Sequence, residues 1–501
     1  MDTTYANPNT TGADMFGQPD SASALAFLER VQSDEELSRL IPAEQVGQVA
    51  MVLARLEQAE TVTANTFTEM LAVVDEKMDE QLDAILHAPE FVKIESTWAG
   101  LKLIYDRAAA LRDRGVEVDV LHATKEELTE DFVDGVTDSQ TFRKVYSEHL
   151  GKHGGNPYGT IVSGFEFGLN AGDLALLKNL GAVGRISHAP FVANAESSLI
   201  GFDTIREATI PQSLTDQLEN TAKTDIGSKW ASFRASDDAR YVVLTTPRIL
   251  AREPYDPKTN AARGVNYTET VTSDDQLAWT AAAYGLGANM AQSFAEYGWC
   301  ISIADVASGG RLRDLAMFHL PDSPHARPPL SLEAEFAHNA KKNLADAGIA
   351  VLDQQPWRNE AFFSAVPTYR AKRDFPKTPE GEADARSDGY GIQLPYVMVA
   401  SRIAHHLKVM FEDKIGSTIS MEQAQTMMNK WLAGITAHSL PEDPELAERK
   451  PLKSSSVSIR PSREPGMYEV DLKIEPHARF VGMQVKLALT SKIKGESGAA
   501  Q

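Results

Sequence analysis

Cysteine is almost absent from this chain of 501 residues, in which Cys300 is the single one. One thiol excludes an internal disulfide framework and fits a reducing compartment, so we expect a cytoplasmic protein. No apolar run approaches the ~20 residues of a transmembrane helix, so no membrane insertion is expected. Residues 1–20 contain no basic side chain and no apolar core, and we expect no secretory signal there.

Positive charge is also scarce. The sequence has 49 basic and 70 acidic residues, which gives a net charge of −21 at pH 7. Such a surface repels phosphate backbones, so we expect no nucleic-acid binding. Residues 1–100 carry 5 basic and 18 acidic residues, a net charge of −13, whereas residues 449–501 carry 10 basic and 5 acidic, a net charge of +5. These ends are either two solvated surfaces or complementary surfaces of neighbouring chains.

Motifs of familiar catalytic sites are missing. The sequence has no Walker loop, no GxGxxG after a strand, no GxSxG and no HExxH. The glycine-rich HGGNPYG at 153–159 lacks the Lys-Ser/Thr ending of a phosphate loop, so we interpret it as a structural turn. We therefore predict no catalytic residue, no cofactor and no metal site.

Three side chains are the remaining candidates for chemistry, and each has a structural interpretation. His405 and His406 are adjacent on a predicted helix, where neighbouring side chains point about 100° apart, so they are poorly placed to share a metal ion. We predict that one of them packs and the other is solvated. Cys300 lies in the apolar stretch YGWCISI, which favours a buried, unreactive thiol.

The N-terminal part of the chain is predicted to be helical after a polar start. The length exceeds that of a usual single core, so more than one packed unit is expected. Residues 1–20 are predicted to form a disordered tail, and residues 21–90 a helical region. Its first apolar stripe consists of Ala24, Phe27, Leu28 and Val31. Later stripes with helical spacing are Leu71, Val74, Met78, Leu82 and Ile85, and then Phe91, Ile94, Trp98, Leu101 and Ile104.

Strand-like and helical segments alternate over residues 91–445, which predicts a mixed α/β (α+β) core. Thr124 and Glu127 have the spacing of a capping box. Residues 371–391 are polar, with two prolines and three glycines, and are predicted to form an exposed loop before two further helices. Candidate strands are VEVDV (116–120), TIVSGFEFG (160–168), RYVVLTT (240–246), GIAVLD (348–353) and AFFSAV (361–366).

The last part, residues 446–501, is interpreted as a linker followed by a three-stranded β-meander. Apolar and polar side chains alternate there with the period of two that is typical of half-buried strands. The two strands at 467–489 alone would form a hairpin that is only marginally stable in water, so their sheet must be completed by something else. We expect the proline-containing linker to let the sheet stand off from the core. The alternating apolar residues are Val457, Ile459, Tyr468, Val470, Leu472, Ile474, Met483, Val485, Leu487 and Leu489.

Eight segments, in order along the chain, resemble one known family. They are QLDAILHAPEFVKIESTWAGLKLIYDR, KEELTEDF, YGTIVSGFEFG, HAPFVANA, KWASFRASDDARYVVLTTPRILAREPYDP, FAEYGWCISI, LPYVMVASRIAHHLKVM and VDLKIEPHARFVGMQVKLALTSKI. The family is the large subunit of the type VI secretion contractile sheath, whose core is related to the tail-sheath proteins of contractile phages. The resemblance implies a structural protein of bacterial protein secretion that is not an enzyme.

The resemblance also implies the partners. A large subunit of this family pairs with a small sheath subunit, and the pairs assemble helically with further copies around an inner tube of hexameric rings, above a baseplate. Contraction drives the tube toward a target cell, and an AAA+ unfoldase then grips an N-terminal helix of the large subunit. Residues 24–31 are the best positional match to that helix. Strands are shared between neighbours, so the sheet at 456–490 would be completed by adjacent subunits. The implied location is the bacterial cytoplasm, within a membrane-anchored apparatus.

Two other classes of function stay open. One is a cytoplasmic adaptor that binds a partner by β-strand addition, and the other is an enzyme with an unrecognised site. A sheath subunit should form long hollow tubes with its small partner, whereas an adaptor should form a finite complex. An enzyme should lose its function on one polar substitution while its oligomeric state is unchanged.

Overall fold

The computed structural model divides the chain into two units. The first comprises Met1–Leu86 with Tyr255–Thr270, and the second comprises His87–Pro254 with Val271–Gln501. The structure describes residues 64–209, 211–305, 310–320, 329–412, 421–461, 467–477 and 487–494, with the single positions 29 and 50. The predicted tail at 1–20 and the stripe at 24–31 therefore lie outside the described residues.

The first unit contains helix α1, Ala64–Leu86, as the stripe from Leu71 to Ile85 predicts. Two groups of the segment Tyr255–Thr270 bond to one carboxylate on this helix. The Tyr267 hydroxyl donates to Asp83 Oδ1 at 2.6 Å, and the Thr270 N–H lies 3.2 Å from the same oxygen. Because the Tyr267 side chain is buried, its hydroxyl needs such a partner, and Asp83 supplies it.

Helices of the second unit follow the predicted alternation with strands. Thr124 caps α3 in a complete capping box with Glu127, as predicted, with the Glu127 N–H 3.1 Å from Thr124 Oγ1. The helix α4 continues as a π-helical stretch, Arg143–Leu150. The helices are α2 Pro89–Ala110, α3 Lys125–Asp131, α4 Gln140–Phe142, α5 Ala171–Ser187, α6 Pro211–Ala222, α7 Asp225–Arg234, α8 Ala282–Tyr297, α9 His338–Asp346, α10 Pro379–Gly391, α11 Leu394–Glu412, α12 Met421–Gly434 and α13 Pro444–Arg449.

A six-stranded mixed sheet forms the centre of the second unit, in the order β1-β2-β3-β7-β8-β6. The first four strands in this order are parallel, and the last two pairs are antiparallel. A separate two-stranded sheet pairs β4 with β5. The bounds are β1 Ile161–Phe167, β2 Phe191–Ala195, β3 Val242–Thr246, β4 Ile249–Leu250, β5 Trp279–Thr280, β6 Arg311–Leu312, β7 Ile349–Gln354 and β8 Ala361–Phe363.

Helices cover both faces of this sheet. In β2, Val192 packs with α2, α8 and α11, whereas Phe191 and Ala193 pack with α5 and α7 on the other side. On the first side, α2 approaches α8 so closely that a Cβ on Gly100 would lie 2.1 Å from the Tyr284 ring. Helices on both sides of a largely parallel sheet confirm the predicted mixed α/β core.

The C-terminal strands form the predicted meander, a three-stranded antiparallel sheet in the order β11-β10-β9. Its strands are β9 Leu452–Pro461, β10 Met467–Pro476 and β11 Leu487–Lys494. One face of β9 and β10 is buried in one cluster with Ile403 of α11 and Met428 of α12. The expectation that the sheet stands off from the core is therefore wrong, because its apolar face is needed to cover these two helices.

Three local predictions differ from the structure. Residues 116–120 pair with no other strand among the described residues, although their side chains alternate. The exposed loop predicted over 371–391 contains helix α10, whose Tyr390 is buried. The linker region contains α13, and β9 already begins at Leu452. In the last two cases tertiary contacts favour regular structure in segments whose composition is typical of loops.

Candidate assembly surfaces

Helix α1 exposes an apolar stripe in the first unit. Leu71, Val74, Met78 and Ile85 have large exposed fractions in the structure. Their spacing of three, four and seven residues puts them on one side of the helix. An exposed stripe of large apolar side chains is typical of a surface that another protein covers.

Helix α2 exposes a second stripe. Ile94 is 58% exposed and Trp98 is 65% exposed, and Phe91 and Tyr105 lie on the same side. This spacing has a period of 3.5 residues, which is that of a coiled-coil seam. The sequence grouped Ile104 with Phe91, Ile94 and Trp98, but Ile104 is buried, as α2 packs on α8 with its other side. The exposed side of α2 therefore offers a preformed apolar surface with a Trp at its centre.

The two outer edges of the C-terminal sheet differ. On β9, the N–H of Val457 lies 3.0 Å from Asn429 Oδ1, and its carbonyl oxygen lies 3.1 Å from Asn429 Nδ2. The N–H of Ile459 donates to Gln425 Oε1 at 3.2 Å. Side chains of α12 thus occupy this edge. Among the described residues, no strand lies beyond β11 at the opposite edge.

The predicted strand residues fall into three groups. Val457, Ile459, Val470, Leu472 and Ile474 are buried in the core of this chain. Tyr468, Leu487 and Leu489 lie within β10 and β11 at positions whose side chains the structure does not describe. Met483 and Val485 lie outside the described residues. The side chains of the first group thus stabilise the chain's own fold, and an inter-subunit role would fall to the backbone of the open edge.

His405 is the packed member of the histidine pair, as predicted. Its side chain is 2% exposed, and its Nε2–H donates to the carbonyl oxygen of Ser187 at 2.8 Å. Burial lowers the pKa of His405 to about 3 despite this hydrogen bond. The ring is therefore neutral at physiological pH and holds α11 against the end of α5.

His406 and Cys300 have environments that also lower their reactivity. The prediction that one histidine is solvated is wrong, since His406 is half-buried with its ring centroid 5.0 Å from that of Trp431. Burial, and then the charge of Arg402, lowers the pKa of His406 to about 4. Burial raises the pKa of Cys300 to about 12, so its thiol is protonated at neutral pH.

Two polar arrangements in the structure were not predicted from the sequence. Asn429 and Gln425 are four residues apart on α12, and each directly follows a buried residue, Met428 and Ala424 respectively. Two amide side chains repeated at this spacing beside an apolar face were the available signal. Arg370 is fully buried with its guanidinium 3.4 Å from Asp388 Oδ1. Nothing in the local sequence indicates this pair, because its members come from different elements.

Within the ranges that the structure describes, no group of three or more His, Cys, Asp or Glu side chains is arranged to hold a metal ion. No helix in the same ranges combines the length and the apolar character needed to cross a membrane.

Comparison with known proteins assigns two consecutive domains. Residues 68–370 match the family described as EvpB/VC_A0108, tail sheath N-terminal domain, and residues 383–493 match the EvpB/VC_A0108, tail sheath gpW/gp25-like domain. The chain is 29% identical over 453 residues to the type VI secretion system sheath protein TssC1 of Pseudomonas aeruginosa, covering 87% of this chain and 88% of that protein.

A structural comparison gives the sheath tail protein Lin1278 from Listeria innocua, with 10% sequence identity and a TM-score of 0.26. This match covers 57% of the present chain and 59% of that one, and a likeness so partial supports no argument. The two family matches together span both the central sheet and the C-terminal sheet. The chain therefore belongs to the EvpB/VC_A0108 tail sheath family, and its recognition as a contractile sheath subunit of type VI secretion is confirmed.

Proposed function

We propose that this chain pairs with a small sheath subunit and that the pairs polymerise helically around an inner tube of hexameric rings, above a baseplate. Contraction of this polymer drives the tube toward a target cell. The assembly lies in the bacterial cytoplasm as part of a membrane-anchored apparatus. An AAA+ unfoldase then disassembles it through the helix at 24–31. Membership of a family of structural sheath proteins supports this proposal.

The observation that carries the proposal is the one-sided closure of the C-terminal sheet. Asn429 and Gln425 supply hydrogen bonds to β9, whereas no described strand covers β11. An uncovered edge presents a row of N–H and C=O groups that a strand from another chain can use. We therefore place the arms of adjacent subunits beside β11, and not beside β9.

Such a junction suits a polymer that changes length without coming apart. Each inter-chain backbone hydrogen bond contributes roughly 0.5–1.5 kcal/mol net, and a helical lattice repeats the junction in every subunit. A contact between different surfaces of neighbouring copies generates an open helical polymer when its rotation does not close into a ring. The exposed apolar sides of α1 and α2 offer further contact area for such an assembly.

The test is a truncation at the open edge. A chain that ends after Lys486 lacks β11 and the residues that follow, but it retains β9 and β10 with their buried face. Co-expressed with the small subunit, this chain should still form the heterodimer but no tubes in negative-stain electron microscopy. The matched control ends after Lys494, keeps β11 and should form tubes.

Normal tubes from the shorter chain would contradict the shared-sheet proposal. Loss of the heterodimer as well would mean that β11 is needed for the fold of the large subunit, and the assignment of β11 to an inter-subunit junction would then be withdrawn. A full-length chain that forms only finite complexes with its small partner would instead favour an adaptor.

A further inference from the structure

Residues 116–122 form a segment of the second unit that pairs with no strand among the described residues. The segment follows a turn at Gly115, whose φ is +81°, and ends before α3. Among the described residues, no backbone N–H or C=O group of this segment takes part in a backbone hydrogen bond. Because these groups require partners, water or an added strand must supply them.

Two acidic side chains on one side of the segment accept hydrogen bonds from another part of the chain. The Asn156 amide donates to Glu117 Oε2 at 3.1 Å, and the Tyr158 hydroxyl donates to Asp119 Oδ2 at 2.7 Å. The two bonds advance by two residues along both segments, as in extended chains that run side by side. Partial burial, and then the Asp119 carboxylate, raises the pKa of Tyr158 to about 12. The segment is thus held extended before any partner arrives.

The other side of the segment is apolar and exposed. On this side Val120 is 65% exposed, and Val118 is exposed as well. Valine favours β-strands, but an exposed strand edge is normally protected by lysine, proline or a bulge. Residues 116–122 contain neither lysine nor proline, and the carboxylates of Glu117 and Asp119 are bonded to Asn156 and Tyr158. An extended, apolar and unprotected segment is suited to strand addition by another chain.

The negative charge around residues 116–122 restricts which strand can bind there. Residues 116–140 contain 8 acidic residues and 1 basic residue, a net charge of −7. Pairing of this segment with the same segment of a second copy would bring Glu117 and Asp119 of both copies together, which is unfavourable. Charge complementarity favours a strand that carries Lys or Arg. The basic strands of this chain, β9 to β11, already pair with one another, and β9 and β10 are packed in its own core, so we assign the added strand to a different polypeptide.

We propose that residues 116–122 accept an extended strand of the small sheath subunit, with apolar side chains at alternate positions and a net positive charge. This inference rests on the proposed function, since it assumes that a small subunit pairs with this chain. The added strand bonds to the free backbone groups and covers Val118 and Val120. The basic strands at 452–494 of a neighbouring copy are the competing occupant.

The test is a photo-crosslinking amino acid at Val120 in the co-expressed complex, with the products mapped by mass spectrometry. The matched control carries the same amino acid at Val133, which is also exposed but lies beyond α3. We expect position 120 to crosslink to one basic, alternating segment of the small subunit and position 133 not to do so. Crosslinks to another copy of this chain, or none in an assembled complex, would overturn the inference.

A second measurement uses Val118→Pro, which removes a backbone donor from the segment. We expect the Kd for the small subunit to rise about tenfold, which corresponds to about 1.4 kcal/mol, and its recovery in a pull-down to fall. Val133→Asp should leave the recovery unchanged, and equal recovery from Val118→Pro would contradict the inference. If Val118→Pro does not fold, the crosslink at Val120 still decides. Tubes without that crosslink would refute this inference alone, whereas a wild-type chain without complex or tubes would refute the proposed function.

Discussion

The side-chain amide of Asn429 takes the place of a neighbouring strand beside Val457. Asn429 Nδ2 lies 3.1 Å from the carbonyl oxygen of Val457, and Asn429 Oδ1 lies 3.0 Å from its N–H. A helix thereby closes one edge of the C-terminal sheet with two hydrogen bonds from a single residue. Since closed edges do not accept strands, the direction in which this sheet can grow is determined by α12.

Asn429→Leu should destabilise the protein and open this edge. The variant leaves the N–H and the C=O of Val457 unsatisfied, at a cost of about 1–3 kcal/mol for a buried polar group. We expect a lower Tm of the complex with the small subunit and more aggregation in light scattering. Thr426→Ala is the matched control, because the Thr426 hydroxyl donates to the Glu422 carbonyl oxygen within the same helix and its side chain is exposed. A variant as stable as this control would show that the amide does not cap the sheet.

Asp388→Ala should be more destabilising than a typical surface substitution. It removes the carboxylate nearest to the fully buried Arg370 and leaves that charge only the exposed Asp237, whose Oδ1 lies 3.8 Å away. Removing one partner of a buried ion pair costs about 3–5 kcal/mol. The measurement is chemical denaturation followed by tryptophan fluorescence. Asp384→Ala, at an exposed position of the same helix, should have little effect. Equal midpoints for the two variants would argue against the pair as a determinant of stability.

His405 should make the protein less stable in mild acid. Its pKa is lowered from 6.5 to about 3 in the folded chain, so the unfolded chain binds a proton first as the pH falls. The free energy of unfolding therefore decreases as the pH drops below 6.5, by about 2 kcal/mol at pH 5 from this group. His405→Gln keeps an N–H donor for the Ser187 carbonyl and removes this titration.

Thermal unfolding at pH 7.5 and pH 5 checks the histidine prediction. The Tm of His405→Gln should fall less than that of the wild type between these two conditions. His438→Gln, at an exposed position, should behave like the wild type. The prediction fails if His405→Gln and the wild type lose the same Tm on acidification.

Phe27→Asp combined with Leu28→Asp should leave sheath assembly intact and slow its disassembly. The apolar stripe that contains these residues would no longer bind the unfoldase, because two charges replace its apolar surface. A peptide of residues 20–34 can be titrated against the N-terminal domain of the unfoldase by fluorescence anisotropy. A peptide with Gln32→Asp and Ser33→Asp controls for added charge. Equal affinity of the wild-type and the doubly substituted stripe would refute this role.

Much of the local structure was predictable from the sequence because its causes are local. The capping box of Thr124 and Glu127 needs only two side chains three residues apart, and the structure contains it. The β-branched run in RYVVLTT predicted β3, which is buried at every position. The alternation in the C-terminal segment predicted the meander, since a strand with a period of two must bury one face. The family itself was recognisable from ordered segments that span most of the chain.

The tertiary structure decided which sides of these elements are buried and which distant residues they contact. The sequence predicts an apolar stripe on α2, but only the packing of Gly100 against Tyr284 decides that Trp98 faces outward. Helix α10 forms in a polar, glycine-containing segment, with Asp388 beside the buried Arg370 and with Tyr390 buried. Such contacts join residues far apart in the chain, so no local pattern encodes them.

The same distinction holds for the two β-segments with alternating side chains. The sequence alone determined that 116–120 and the C-terminal strands favour an extended conformation, because alternation and β-branched residues act within a few residues. Only the tertiary structure decided that one edge is closed by Asn429 and that 116–122 has no strand beside it among the described residues. The physical reason is that strand pairing joins backbone groups of distant segments. The sequence of an edge strand therefore does not specify which segment pairs with it.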